Sequence, residues 1–187
     1  DVNGTTDYDL LLSEAEKVPA GSERLFFVPY LIGERTPHND PNAKGCFIGL
    51  NVSHKRGNMT RAVLEGVAFA LRDTLELLKE SGISAKEIII SGGGSKGKIW
   101  NQIVADVFSS NVKTLVSNEG PAYGAALLAA VGAGEFSSVK EACSSCVNYS
   151  ENFTPDSAKV VDYNRYYEVY RSLYDTLKST FAKISAL

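Results

Sequence analysis

The sequence predicts an α/β fold, a mixed sheet flanked by helices, and three observations carry that reading. Strand, glycine turn, helix, strand and helix patterns follow one another from Glu87 to Val131. A long amphipathic stretch from Asn58 to Gly82 precedes them, and two β-rich runs precede that. The composition, 44% hydrophobic, 22% charged and 10% aromatic, is that of an ordinary globular protein. At 187 residues the chain has the size of one domain, or one and a half.

Taken in order, Asp9 to Lys17 reads as a short helix that Pro19-Ala-Gly21 breaks. Leu25 to Ile32 is predicted as a strand, with Pro29 marking an edge or a bulge. Gly33 to Lys44 is polar and punctuated by Pro37 and Pro41, the pattern of a functional loop, and Gly45 to Leu50 supplies a second strand. Asn58 is the expected N-cap of a helix whose core stripe is Met59, Val63, Val67, Leu71, Leu75 and Leu78, ending at Ser81-Gly82.

Glu87 to Ser91 is predicted as a short buried strand, Gly92-Gly-Gly94 turns, and Lys98 to Ser109 forms a helix carrying Ile99, Ile103, Val107 and Phe108 inward. Val112 to Val116 is a further strand. Gly120-Pro121 opens an alanine-rich helix through Val131, whose small side chains allow close packing on the sheet. Helical patterns recur near Val139 to Val147, and a final helix runs from about Tyr163 to the end with Tyr166, Tyr170, Leu173, Leu177 and Phe181 on one stripe. Tyr163, Tyr166, Tyr167, Tyr170 and Tyr174 fit a packed stripe with polar tips at water better than a binding platform.

Several function classes are disfavoured. Nineteen basic and 22 acidic residues give a net charge of −3 with no long block of either sign, which argues against nucleic acid as a partner. Apolar runs such as Leu25 to Ile32 and Ala125 to Val131 are too short to span a membrane, so no membrane association is expected. The sequence opens at Asp1 without Met, basic leader or apolar signal core, and no targeting peptide is expected in it. Three cysteines, Cys46, Cys143 and Cys146, leave an odd one and point to a reducing, cytoplasmic setting. Cys143-Ser-Ser-Cys146 lacks a second pair or a nearby His, so no metal or redox site is assigned to it. The sequons at Asn3, Asn51, Asn58, Asn148 and Asn152 are read as incidental.

The chemistry-bearing candidate is the turn Gly92-Gly-Gly-Ser-Lys-Gly97. Between a strand and a helix, glycines let backbone approach a ligand, and a helix N-terminus favours phosphate. Gly92, Gly94 and Gly97 also match a dinucleotide fingerprint, with Glu119 where a ribose-binding acid would follow. That fingerprint normally decorates the first strand of its domain, and here two strands and a long helix come earlier. A P-loop is excluded because Ile99 stands where Ser or Thr would hold magnesium; Lys98 is then a solvated lysine at a helix start.

Specific residues sharpen this reading. The hairpin, long helix and βαβα order suggests the carboxy-terminal half of an actin-like ATPase (ribonuclease H-like) fold. Gly45, Phe47, Gly49 and Leu50, followed after seven residues by Asn58, Met59, Ala62, Val63, Leu64 and Glu65, resemble the carboxy-terminal signature of the FGGY carbohydrate kinase family. Gly92 to Gly94, Trp100, Ala105-Asp106 and Gly120 to Ala126 resemble that family's adenosine-binding region. Phe27 to Pro41 resembles its xylulose-phosphorylating members, and the likeness extends from Leu25 to the carboxy terminus.

The resemblance implies that residues 1–187 form the second, nucleotide-binding lobe of a two-lobe sugar kinase, residues 1–24 being a lead-in. ATP with Mg2+ is the implied phosphoryl donor, with Gly92, Gly93, Gly94, Ser95 and Gly97 at the adenosine site. Position 97 departs from the family's usual polar residue in being Gly97, leaving backbone to make contacts there. The implied reaction converts D-xylulose to D-xylulose 5-phosphate, the pentulose held mainly by the other lobe. The catalytic Asp is implied upstream, so no catalytic residue and no metal ligand is assigned within these residues, and a homodimer is one expected assembly of the longer protein. The alternatives are an NAD-dependent oxidoreductase domain and a non-catalytic actin-like nucleotide-binding module.

Glu34, Arg35, His38 and Asp40 cluster in one loop and could suggest acid/base chemistry, but a cleft-lining or structural loop is preferred. Glu65 and Asp106, in helices, are read as caps, solvated charges or supporting groups. His54, in a polar turn beside Lys55 and Arg56, is assigned no role.

Overall fold

The computed structural model describes residues 7–85, 87–116 and 120–187. A helix α1 (Tyr8–Glu16) leads to an antiparallel pair, β1 (Phe26–Val28) and β2 (Cys46–Ile48), and then to the long helix α2 (Arg56–Glu80). Next come β3 (Ile88–Ile90), α3 (Lys98–Phe108), β4 (Val112–Leu115), α4 (Gly120–Gly132), α5 (Val139–Cys146), β5 (Tyr149–Phe153) and α6 (Ser157–Ser185). The second sheet has the order β3-β4-β5. β3 and β4 run parallel and β4 and β5 antiparallel, with an irregularity between Lys113 and Leu115. The expected α/β class with a mixed sheet is therefore observed.

Local chemistry sets the boundaries. The first strand stops at Val28, before Pro29, which has no N–H for a ladder; the Leu31 amide instead turns back to the Pro29 carbonyl at 2.8 Å. Asn58 is not the N-cap expected of it. The helix begins at Arg56, one turn earlier, and the Asn58 Oδ1 reaches back to accept the Lys55 amide at 2.9 Å while its Nδ2 donates to Glu23 at 3.0 Å. The last helix starts at Ser157 rather than near Tyr163, because Asp156 caps it by accepting the Ala158 amide at 3.0 Å. β5 was not expected; the run Tyr149 to Phe153 has little apolar alternation and is mostly exposed, so pairing with β4 rather than burial defines it.

The core lies where α2, α3, β4 and α6 meet, centred on Phe69, Ile103, Val104, Val107, Val112, Tyr163, Tyr167 and Tyr170. Its α2 face matches the predicted stripe only in part: Leu75 is in the core, and Met59 and Val63 pack on a separate cluster of Leu25, Phe27 and Ala62. Ala62, Glu65, Gly66, Ala68, Phe69 and Leu75 are buried, whereas Leu71 and Leu78 are exposed and Val63 and Val67 only partly covered. Gly66 explains the choice: a Cβ there would lie 2.1 Å from the Phe27 carbonyl oxygen, so only glycine lets β1 cross α2 this closely. A second cluster joins Val28, Tyr30 and Ala43 to Tyr174 and Phe181 of α6.

Three further expectations are corrected. β3 is half-buried rather than buried, with Ile89 facing out. Of the α4 side chains only Leu127 is buried, so the alanine-rich helix rests on α5 rather than packing closely on the sheet. Three tyrosine tips of α6 are bonded to protein carboxylates rather than turned to water. Tyr163 donates to Glu65 at 2.8 Å, Tyr167 to Asp73 at 2.6 Å and Tyr174 to Asp40 at 3.0 Å, which anchors α6 to α2 and to the loop after β1. Among the described residues no helix is long and apolar enough to cross a membrane.

Candidate functional site

β3 delivers the chain to Ser91, and the glycine turn follows. Gly92 adopts φ +79° and ψ −168°, a conformation that residues with a Cβ rarely reach, and residues Gly93–Lys96 then wind into one 3₁₀ turn. Ser95 is buried beneath it, its Oγ donating to the Gly92 carbonyl at 2.7 Å and its amide to the same oxygen at 3.2 Å. Asn101, fully buried in the first turn of α3, donates from Nδ2 to the Ser95 carbonyl at 2.7 Å. The turn is thus fixed from below, and its upper face is open: a Cβ added at Gly92 or Gly93 would meet nothing within 4 Å.

That open face borders a groove of about 630 Å³. Gly93, Gly94 and Gly97 of the turn line it together with Trp100 of α3, Leu12 of α1, and Val63 and Val67 of α2. Of the five residues picked out in the sequence, Gly93, Gly94 and Gly97 line the groove, while Gly92 precedes the turn and Ser95 bonds it from its buried side. Charge is sparse there: Asp9 and Lys96 are the charged residues of its lining. Glu119, the acid of the dinucleotide pattern, lies outside the described residues.

Sequence reasoning missed Leu12, Val63 and Val67. Apolar residues at i and i+4 look the same whether they face a core or a pocket, and Val63 does both, packing on the Leu25, Phe27 and Ala62 cluster while lining the groove. Lys98 is exposed and pairs with Glu151 at 2.9 Å, consistent with a solvated lysine and not a phosphate clamp.

The polar loop after β1 is held by its own bonds. Glu34 accepts the amides of Thr36 and His38, both at 2.7 Å. The His38 ring stacks on Tyr174 with centroids 3.6 Å apart. Asp40 accepts the Asn42 amide at 2.8 Å and the Tyr174 hydroxyl, bonds that hold its carboxyl below the usual range. Three of the four residues are thus structural, and Arg35 alone stands exposed.

Glu65 and Asp106 are supporting groups, not solvated charges. Glu65, 2% exposed, accepts Arg61 at 2.8 Å, Tyr163 at 2.8 Å and the Gly21 amide at 3.0 Å. Arg61 in turn donates to the Ala15 and Val18 carbonyls, which fixes the carboxy-terminal end of α1 against α2. Burial pushes the Glu65 carboxyl up against the opposing pull of Arg61. Asp106, also raised by burial, accepts Gln102 and the Asp156 amide, both at 2.8 Å, and so ties α3 to the start of α6. His54 bonds within its own turn, its Nδ1 accepting the Asn51 amide at 3.1 Å. Among the described residues no group of three His, Cys, Asp or Glu side chains could hold a metal ion, and Cys143 and Cys146 are free.

Comparison with known proteins agrees with this picture. Residues 2–133 match the model of the FGGY family of carbohydrate kinases, C-terminal domain. The xylulose kinase of Bacillus subtilis (strain 168) is 37% identical over 171 residues, which cover 91% of this chain and 34% of that protein. The crystal structure of xylulose kinase from Rhodospirillum rubrum superposes with a TM-score of 0.84 at 37% identity, covering 96% of this chain and 36% of that one. Gluconate kinase from Lactobacillus acidophilus superposes with a TM-score of 0.89 at 28% identity, covering 98% and 38%. The chain thus spans about a third of the length of these relatives, 34% of the first. It has the actin-like ATPase fold of such kinases, as the sequence predicted.

Proposed function

Since the chain belongs to the FGGY family of carbohydrate kinases, as its C-terminal domain, we propose that residues 1–187 are the nucleotide-binding lobe of a two-lobe sugar kinase and that residues 1–24 lead in from the rest of it. The turn Gly92, Gly93, Gly94, Ser95, Gly97 holds ATP or ADP. The observation that carries this reading is the open backbone face at Gly92 and Gly93, where added Cβ atoms would stand in free space at the mouth of the groove. A nucleotide can approach the peptide groups there without displacing any side chain. Ser95 and Asn101 keep the turn in place, so little ordering is left for binding to do.

Bound ATP supplies the γ-phosphoryl group for in-line transfer to a sugar hydroxyl, with Mg2+ as its companion ion. No step is assigned to magnesium, because the described residues present no cluster to hold it. D-xylulose is the proposed acceptor, giving D-xylulose 5-phosphate. The support is the likeness to xylulose kinases in the loop from Phe27 to Pro41 and along the chain. The sugar and the carboxylate that takes its proton belong to the other lobe. An NAD-dependent oxidoreductase is not favoured, since the family match and the place of the turn after two strands and a long helix oppose it.

The test is ADP release by this lobe joined to an amino-terminal lobe of the family, with D-xylulose, gluconate and glycerol compared at equal concentration. The proposal expects D-xylulose to give the highest kcat/KM and the lobe alone to give no turnover. Turnover by the isolated 187 residues, or preference for another sugar, would contradict the corresponding part.

A further inference from the structure

We infer that Cys143 and Cys146 are a modification site, a dithiol that closes reversibly to an intramolecular disulfide in the presence of a small disulfide such as oxidised glutathione. Their spacing in the sequence assigns them no role; the helix supplies what the spacing lacks. Both lie in α5, three residues apart, so their Cβ atoms stand one turn apart on one side of the helix, about 5–6 Å from each other. A disulfide needs about 3.5–4.5 Å. Both cysteines are free, Cys143 exposed and Cys146 half-buried. The last turn can tighten to close the gap, because Ala142 is the buried residue of α5 and the turn after it adds nothing to the core clusters. One backbone bond, from the Val147 amide to the Cys143 carbonyl at 2.9 Å, closes that turn. Cys46 makes the contrast: it packs on the cluster of Val28 and Tyr30, and burial pushes its thiol up.

Exposed Cys143 is the point of entry. Its thiolate attacks one sulfur of the small disulfide and breaks that S–S bond; one small thiol leaves with the proton that Cys143 gave up, and Cys143 is left as a mixed disulfide. The Cys146 sulfur, giving up its own proton, then attacks the Cys143 sulfur and releases the second small thiol. Two protein thiols are oxidised to one disulfide, and one small disulfide is reduced to two thiols. The change reaches beyond α5. The Cys146 carbonyl accepts the Tyr123 hydroxyl of α4 at 2.6 Å and the Asn148 Nδ2 at 3.3 Å. Drawing Cys146 toward Cys143 shifts that carbonyl and loosens its bond to α4, a helix in which Leu127 alone is buried.

The experiment equilibrates the 187-residue chain and its Cys143→Ser and Cys146→Ser variants with oxidised and reduced glutathione over a series of ratios, traps free thiols by alkylation and weighs the tryptic peptide from Glu141 to Lys159, which holds both cysteines. Circular dichroism checks that each variant folds. The expected wild-type product is that peptide lighter by two hydrogens, free of glutathione and restored by excess reduced glutathione, while Cys46 stays open to alkylation once the chain is unfolded. Cys146→Ser is expected to trap glutathione on Cys143, and Cys143→Ser to form no ring. Hydrogen exchange then compares the reduced and oxidised wild type: the amides of Val147 and of α4 around Tyr123 are expected to exchange about fivefold faster after oxidation, the effect of one lost hydrogen bond. If the wild-type chain carries two glutathiones, links to a second chain or stays reduced at every ratio, the pair does not close and the inference is overturned. A closed ring with unchanged exchange in α4 would overturn the link through Tyr123.

Discussion

The Ser95 hydroxyl donates to the Gly92 carbonyl across the glycine turn at 2.7 Å. This bond closes the turn on its buried side while the other side stays open. Ser95→Ala removes it. A net hydrogen bond is worth about 1 kcal/mol, so ADP affinity is expected to fall about fivefold if the bond serves to pre-order the turn. Calorimetric titration beside a thermal melt checks this: a loss of affinity with a Tm shift of no more than about 4 °C is the expected pattern.

Arg61 and Glu65 form a buried ion pair that Tyr163 completes. Removing one member of such a pair costs about 3–5 kcal/mol, because the other charge stays buried and unpaired. Arg61→Met is therefore expected to destabilise the chain far more than Tyr163→Phe, for which about 1–3 kcal/mol is expected. Urea unfolding of the two variants decides it, and equal losses would mean that the network is not organised around the ion pair.

Gly66→Ala places a Cβ 2.1 Å from the Phe27 carbonyl oxygen. Neither α2 nor β1 can retreat without opening the core between them, so a loss of about 2 kcal/mol or more is expected. Gly82→Ala makes a useful contrast: the added Cβ meets nothing within 4 Å, and its cost comes from the φ of +80° alone. Denaturant melts of both separate crowding from backbone strain.

Burial pushes Tyr30 and Tyr174 up to about 12, and raises Tyr163, Tyr167 and Tyr170 as well. An unfolded tyrosine ionises near 10. The folded state therefore holds its phenolic protons more tightly, and the resulting stability is complete below pH 10 and declines as pH rises from 10 toward 12 and beyond. Absorbance of tyrosinate followed against pH should show a late-titrating group of tyrosines whose ionisation coincides with loss of ellipticity. Complete titration near pH 10 with the fold intact would contradict this.

Much of this was legible in the sequence, and the failures have physical causes. The turn at Gly92, Gly93 and Gly94 could be read because a glycine run between an apolar strand and an amphipathic helix breaks both patterns. The order of elements from Phe26 to Leu115 could be read from apolar runs and their breakers. The buried face of α2 could not. The contact that sets it, Gly66 on the Phe27 carbonyl, is a backbone approach that hydrophobicity does not record. Val63 serves both surfaces, packing on the Leu25, Phe27 and Ala62 cluster and lining the groove, and Val67 lines the groove as well. β5 escaped because Tyr149 to Phe153 is defined by its pairing with β4, which no local pattern announces. The sequence leaves Glu65 open between cap, solvated charge and supporting group because, apart from Arg61 one turn away, its partners Tyr163 and the Gly21 amide are distant in the chain.

The central claim is that the turn from Gly92 to Gly97 is an adenine nucleotide site. Calorimetric titration of the 187-residue chain with ADP, ATP and NAD, each with and without magnesium, tests it most directly. The account predicts saturable binding of ADP and ATP at one site and weaker or absent binding of NAD. Preferential binding of NAD, or no binding of either adenine nucleotide, would contradict it.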